Sequence, residues 1–442
     1  MKLVIKNGIL VDPLDTGEEA GADAAVVDIL IENGLIAEIG KNIDTKHLGQ
    51  AVDIIDASGL YVLPGLIDAH CHLRDPGYEY KEDIETGAAS AAVGGFTAVA
   101  CMPNTNPAAD NAQIIRYIID KAEGAGLVKV LPIGGITKGL RGEELSEMGE
   151  LKFAGAVAVS DDGMPVASPS MMKKALLYSK VFDLPVISHC EDLDLADGGD
   201  MIEGVVSMEL GLRGIPSISE SVQVARDILL SEYTGTPVHI AHVSTEGSVN
   251  IIRNAKSQGV RLTCETCPHY FTLTEEACRD YDTNAKVAPP LALSSDVAAI
   301  KAGLADGTID IIATDHAPHH KDEKNVEFSR AARGMVGFET AFSLAYTHLV
   351  LTGVLTLKQL AEKMSLNPAR LFHIADTGAG GMSVGKPANL TIIDPGRSFV
   401  VEPENFHSRS KNSPFGGFEL KGAVMYTIVG GRAVVRQGVL ID

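Results

Sequence analysis

LYVLPGLIDAH, residues 60–70, is an aliphatic run that ends on a histidine, and seven further runs of the same texture follow it: FTAVACMP, VKVLPIGG, GAVAVSDD, LPVISHC, PVHIAHV, VRLTCET and IDIIATDH. Helix-like stretches such as NAQIIRYIIDKAEGAG, SPSMMKKALLYSK, SISESVQVARDILLSEY and EGSVNIIRNAKSQG separate many of them. Short β-branched runs alternating with longer helical ones mark parallel strands joined by crossover helices, and eight such strands close a barrel. The expected fold is therefore α/β, a (β/α)₈ TIM-type barrel over residues 61–385. An open doubly wound sheet is the competitor and calls for a phosphate or dinucleotide loop. The best glycine-rich candidate, IGGITKGLRG, matches neither pattern.

Outside the barrel the texture changes. KLVIKNGILVD, VDILIENGLIAEIG and AVDIIDASGLYVL read as short strands, and ANLTIIDP and AVMYTIVGGRAVVRQG repeat that texture near the other end. Asn7-Gly8, Asn33-Gly34 and Gly430-Gly431 are the dipeptides a tight hairpin wants, because its central residues need positive φ. Residues 1–60 and 386–442 are expected to build one small accessory β-sandwich together.

With 442 residues, 45% of them apolar and 21% charged, the chain has ample material for a large core and should fold throughout. A net charge of −21 without a basic cluster argues against nucleic acid as a partner. No run reaches membrane length and the start lacks a signal-peptide pattern, so a cytoplasmic location and no membrane partner are expected. The 6 cysteines are scattered, which fits a reducing compartment. Cys264 and Cys267 form a single CxxC without a second, and are read as ordinary strand-end residues rather than a zinc site.

Chemistry gathers at the strand ends. His70 and His72 follow the first run, Asp161-Asp162 the fourth, His189 the fifth, His242 the sixth and Asp315 the eighth. In a barrel these ends share one mouth, where such folds carry their reactions. Alternation along a strand points His70 and His72 the same way and Cys71 the other. A lone strand-end histidine is usually just a satisfied polar residue. Four of them with acidic partners, on five different strands, point instead to a metal centre. Imidazole and carboxylate without thiolate suit a divalent ion such as zinc, and the set is large enough for two. His70, His72 and Asp315 would hold one ion, His189 and His242 the other, and a carboxylate from the fourth strand could bridge them. Such an ion lowers the pKa of water to about 7 and so prepares attack on a carbonyl.

Arg74 offers a planar fork suited to a carboxylate, while Asn104 and His319 could complete an anion pocket. The bland alternative for Arg74 is a surface ion pair with Asp75 or a nearby glutamate. A Ser188-His189 relay fails because adjacent strand residues face opposite sides, and Cys71 and Cys190 fail as nucleophiles for the same reason.

DAHCHLRDPG, MPNT, VSDDG, SHCED, HIAHVST and ATDHAPH, in this order, resemble the amidohydrolase superfamily and specifically the bacterial type I dihydroorotases, from about Leu60 to Ala388. HLRDPG together with MPNT is the selective part. The resemblance implies a metal-dependent cyclic amide hydrolase that interconverts dihydroorotate and N-carbamoyl-L-aspartate in pyrimidine synthesis. It implies one or two Zn²⁺ per subunit, held by His70, His72, Asp162, His189, His242 and Asp315. It also implies Asp315 as the catalytic proton carrier and Arg74, Asn104, Asn284 and His319 as substrate binders. The 27-residue spacing to His189 favours Asp162 over Asp161 as the ligand in this class. Related hydantoinases and allantoinases bridge their metals with a carboxylated lysine, and the fourth run here ends without a lysine. The chain also departs from its class at Ala331-Ala332-Arg333-Gly334, where Ala-Pro-Phe-Gly is usual, and at Ala288-Pro289-Pro290-Leu291, where the motif usually starts with asparagine. The competing expectations are a hydantoinase, allantoinase or dihydropyrimidinase-like enzyme acting on a ring without a carboxylate, and a catalytically silent partner protein. A homodimer is the default oligomer.

Overall fold

The computed structural model describes residues 2–15, 25–45 and 52–441; positions 1, 16–24, 46–51 and 442 of the expected terminal unit lie outside the described residues. All eight expected barrel strands form, as Leu66–Cys71, Phe96–Cys101, Lys129–Gly135, Ala158–Ser160, Val186–Ser188, Val238–Ile240, Leu262–Thr266 and Ile311–Ile312. They hydrogen-bond in chain order as one parallel sheet. The first and eighth meet where the Asp315 N–H donates to the His70 carbonyl at 2.9 Å and the His72 N–H to the His316 carbonyl at 2.8 Å. That seam closes the barrel at its carboxyl end.

The strands are short and almost wholly buried because helices cover them outside and side chains fill them inside. Ile67, Ala69, Ala100, Ile133, Ile187 and Ala241 pack the interior, and Ala369 and Phe372 pack into the same cluster. The expected helices appear as Ala112–Ala125, Pro169–Val181, Ile218–Thr234 and Glu246–Ser257. Their ends follow local chemistry. Asn111 caps the first of them by accepting from the N–H groups of Gln113 and Ile114, and Gly126 stops it in the left-handed conformation.

LYVLPGLIDAH is two strands, not one. Tyr61–Pro64 pairs antiparallel with Leu390–Val400 and parallel with Ile9 and Leu10, while Leu66–Cys71 enters the barrel. Gly65 is the pivot, since a Cβ there would lie 2.2 Å from Thr97 Oγ1.

The terminal unit is a nine-stranded sheet built from both chain ends. Leu3, Ile5, Ile29, Val62, Ile392 and Ile428 share its core. Asn33-Gly34 and Gly430-Gly431 make the expected hairpin turns, all four residues at positive φ. Asn7-Gly8 does not. It lies inside the strand Lys2–Leu10, at a bulge in its pairing with Val26–Glu32. Asn7 has φ 59°, and its N–H donates to Asp28 Oδ1 at 2.9 Å, so the dipeptide's positive-φ preference serves a bulge instead of a turn.

Candidate metal centre

The barrel mouth brings all six expected ligands together. Asp162 Oδ1 lies 3.3 Å from His70 Nε2, 3.4 Å from His189 Nδ1 and 3.5 Å from His242 Nε2. Its other oxygen, Oδ2, lies 3.5 Å from His72 Nε2. One carboxylate therefore faces four imidazoles, one at the end of the first strand and three just past the ends of the first, fifth and sixth. Asp315 Oδ1 completes the first cluster, 3.1 Å from His72 Nε2 and 3.6 Å from His70 Nε2. His189 Nδ1 and His242 Nε2 sit 2.7 Å apart.

The residues fit a bound cation. His70 Nε2 and Asp162 Oδ1 are buried, and neither has a hydrogen-bond partner. Orphaned buried polar atoms are costly, and an ion between them removes the cost. Two groups, His70-His72-Asp162 and Asp162-His189-His242, each converge three ligand atoms, with Asp162 common to both. The residues can thus hold one divalent ion or two sharing a carboxylate.

Of Asp161 and Asp162, it is Asp162 that faces the imidazoles. Asp161 turns away and accepts from the Thr137 N–H at 3.0 Å and from the Thr137 hydroxyl. Burial would raise the Asp162 carboxyl, but the imidazoles of His70, His189 and His242 hold it well below the usual carboxylate range. Ser188 and Cys71 also face away as expected. The Ser188 hydroxyl donates to Asp227 at 2.6 Å and the Cys71 thiol to the Ala100 carbonyl at 3.3 Å. Cys264 and Cys267 are free and buried, and neither belongs to a metal-holding group among the described residues.

Backbone strain marks the same place. His242, Asp315 and Arg74 all adopt positive φ, at 34°, 47° and 61°. Such conformations persist in non-glycine residues only where the surroundings over-determine them, and they gather at functional sites.

Partners outside the cluster aim the ligands. Asn104 Oδ1 lies 2.9 Å from His72 Nδ1 and accepts its proton, which leaves Nε2 facing the cluster. The Asn104 amide N–H₂ remains for a ligand. Glu265 does the same for His70, with Oε1 2.7 Å from Nδ1. Sequence reading missed Glu265. The available signal was a charged residue in the middle of a buried strand, which must be paired to be tolerated.

Beside the cluster, Arg74 is half-buried, with Nε donating to the Pro318 carbonyl at 3.2 Å. Asp75, its expected bland partner, is committed elsewhere, to Lys121 at 2.6 Å and to the Tyr117 hydroxyl at 2.9 Å. His319 Nε2 lies 2.9 Å from the Arg333 carbonyl and 3.3 Å from Arg74 Nη2. A carbonyl can only accept, so this shorter contact puts the His319 proton on Nε2, while Nδ1 faces Glu323 Oε2 at 3.3 Å and Lys81 Nζ at 3.5 Å, and the Arg74 fork is left without an acceptor there. Burial pushes His319 down to about 4, so it is neutral at ordinary pH.

Asn284 is the one expected substrate residue with no side-chain bond to this group. Its backbone N–H bonds Asp282, and it lines a pocket of about 420 Å³ with His319, Asn325 and Asn412. The divergent stretch Ala331 to Gly334 is held by Lys324, whose ammonium donates to the carbonyls of Ala332 and Gly334 at 2.7 and 2.8 Å. Arg333 reaches across to the Gly199 carbonyl.

Residues 59–248 match a family model described as dihydro-orotase-like. A dihydroorotase from Acetivibrio thermocellus is 61% identical over 439 residues, which covers 99% of this chain and 100% of the relative. One from Ruminiclostridium cellulolyticum is 59% identical over 441 residues and covers both chains completely. Among solved structures, an L-hydantoinase (dihydropyrimidinase) from Arthrobacter aurescens superposes with a TM-score of 0.86 at 27% identity, over 100% of this chain and 97% of that one. A dihydropyrimidinase from Brevibacillus agri superposes at 0.84 and 22% identity, over 100% and 96%, a likeness of fold.

Proposed function

The chain belongs to the dihydroorotase family, and from that premise we propose that its barrel mouth hydrolyses the cyclic amide of (S)-dihydroorotate to N-carbamoyl-L-aspartate and runs the reverse cyclisation in pyrimidine biosynthesis. It is a cyclic amide hydrolase whose site calls for a metal.

We assign His70, His72 and Asp315 to one Zn²⁺ and His189 and His242 to a second where two are bound, with Asp162 common to both. Zinc supplies a Lewis acid for the amide carbonyl and lowers the pKa of an attacking water. Everything else falls to the protein. Asp315 takes the proton released as water attacks the ring carbonyl, and passes it to the departing ring nitrogen. Burial would raise its carboxyl, but His72 and the neighbouring imidazoles keep it below the ordinary value, in the ionised form a base requires. In the reverse direction the same carboxylate removes the proton from the attacking nitrogen. Arg74 grips the substrate carboxylate, and the Asn104 amide and the His319 imidazole beside the Arg74 fork complete the anion pocket. Asn284 closes the pocket edge. Fixing the carboxylate fixes the ring, so that its carbonyl meets the cluster instead of sampling other orientations.

One observation carries the choice of a carboxylated ring: among the described residues Arg74, beside the cluster, has no carboxylate at ion-pair distance, although Asp75 is its chain neighbour. A neutral hydantoin or dihydropyrimidine offers such a guanidinium carbonyl oxygens but no carboxylate to neutralise it. Catalysis is assigned to residues 61–385, with 1–60 and 386–442 as support, in a cytoplasmic homodimer.

The test is a panel of cyclic amides offered to metal-loaded protein. Dihydroorotate turnover with hydantoin, allantoin and dihydrouracil inert supports the reading. Turnover of the neutral rings with dihydroorotate inert would replace it by a hydantoinase-like one, and loaded protein inert to all of them would favour the silent partner.

A further inference from the structure

At the end of the barrel opposite the mouth lies a cavity of about 560 Å³. It sits where the fifth to eighth barrel strands begin, and its volume falls in the range of small-molecule sites. Leu184, Pro185, Val238, Ile311 and Leu371 give it apolar walls.

Two features distinguish it from a packing defect. The first is charge. Lys180 and Arg261 stand at its edge and converge on adjacent carbonyls, Lys180 Nζ donating to Thr234 at 3.2 Å and Arg261 Nη2 to Gly235 at 3.1 Å. Neither forms an ion pair among the described residues, in a chain whose net charge is −21. Asp183 and Asp310 also line the cavity, but Asp183 is paired with His373 at 2.8 Å and Asp310 with Lys256 at 2.6 Å, so the two cations left with only carbonyl partners, over apolar walls, are the chemistry that receives a flat organic anion.

The second is a wire. His239 and Thr263 line the cavity, and the Thr263 hydroxyl lies 2.8 Å from His239 Nδ1. His239 Nε2 lies 3.2 Å from Glu265 Oε2, and Glu265 Oε1 lies 2.7 Å from His70 Nδ1. One assignment satisfies every atom: the threonine O–H donates to His239 Nδ1, and both imidazoles donate an N–H to the carboxylate between them. Thr263 is half-buried at the cavity wall, His239, Glu265 and His70 are buried behind it, and the run joins the cavity to a residue of the metal cluster.

We propose that this cavity is a second ligand site, for a small flat organic anion held by Lys180 and Arg261, and that its occupancy is communicated to His70 through Thr263, His239 and Glu265. A ligand that moves Thr263 or His239 re-aims the carboxylate, and with it the imidazole. Linkage then requires that the ligand alter metal retention. The binding half is independent of the function proposed above; the communication half rests on His70 holding metal.

The probes are benzoate and phenyl phosphate, which carry different anionic heads on one flat ring and so distinguish a carboxylate ligand from a phosphate one. Titrated calorimetrically into metal-loaded protein, at least one should bind in the millimolar range or tighter. Excess carbamoyl-aspartate should not displace it, and the Lys180→Gln/Arg261→Gln double variant, altered only at exposed positions, should weaken it at least about tenfold. At saturation the probe should change the rate at which a chelator strips metal. His239→Gln and, separately, Thr263→Val should abolish that change while leaving the probe bound. No binding, binding indifferent to the double variant, or displacement by carbamoyl-aspartate would overturn the site. Binding with metal loss unaltered would overturn the communication.

Discussion

At the scale of single residues, the decisive position is Arg74. Chain proximity favoured Asp75 as its partner, and only the fold reveals that Asp75 is spent on Lys121 and Tyr117. Arg74→Met should therefore lower kcat/KM for dihydroorotate by an amount equivalent to roughly 2–5 kcal/mol, the cost of leaving a charged group unpaired in a site, while metal content measured on the same preparation stays at the parent level. Glu265→Gln should do the converse. It keeps the shape but weakens the acceptor for His70 Nδ1, so competition against a chelator should show metal affinity reduced about 10- to 100-fold. Glu265 was legible only as a buried-strand charge in need of a partner, because nothing in TCET says that the partners are His70 and His239. The histidines and Asp162 were legible because their spacing fell on strand ends. His319 adds a pH signature. Its folded pKa is near 4 while its unfolded value is about 6.5, so the unfolded chain binds more protons in that window. Stability linked to His319 is complete above about pH 6.5 and is lost as pH falls towards 4. Denaturant titrations of His319→Asn across this interval should show a flatter acid limb than the parent.

At the scale of elements, texture predicted which strands exist but not where each one goes. Nothing in LYVLPGLIDAH says that Tyr61–Pro64 belongs to one sheet and Leu66–Cys71 to another, because both halves are equally apolar and both are buried. The division is made by partners distant in sequence: Leu390–Val400 on one side and Phe96–Cys101 on the other. Gly65 is where the chain changes sheets. Its N–H donates to the Asn389 carbonyl at 2.8 Å and its carbonyl accepts from the Ser365 hydroxyl at 2.6 Å. Gly65→Ala would drive a methyl into Thr97, so we expect a loss of about 1–3 kcal/mol in denaturant unfolding, the usual cost of overpacking. Gly65→Ala combined with Thr97→Ser, which removes the nearby Thr97 Cγ2, should recover part of it. Asn7-Gly8 teaches the same point: the dipeptide encodes positive φ, and whether that becomes a turn or a bulge depends on the strand beside it.

At the scale of the whole molecule, barrel and terminal sheet are distinct in architecture but continuous in packing. Leu63, Ile393, Val434 and Val435 of the terminal sheet share one buried cluster with Phe96 and Val99 of the barrel. Hydrogen bonds cross the same boundary. The Thr391 hydroxyl donates to the Gly95 carbonyl at 2.6 Å, and the Thr427 hydroxyl to the Ala92 carbonyl at 2.7 Å. Gly95 and Ala92 lead directly into the second barrel strand, so removing the last strands strips support from a wall of the metal site, not from a detachable appendage. Compositional similarity of the two chain ends made their union legible; the shared core was not, since a sequence does not say which buried valine faces which unit. Units that share a core unfold together. Calorimetry of the metal-loaded protein should therefore give one transition spanning both, and a chain ended at residue 385 should accumulate unfolded or aggregated. Two resolved transitions, or a soluble truncated chain that still binds metal, would mean that the barrel stands alone and that the shared cluster contributes little to its cohesion.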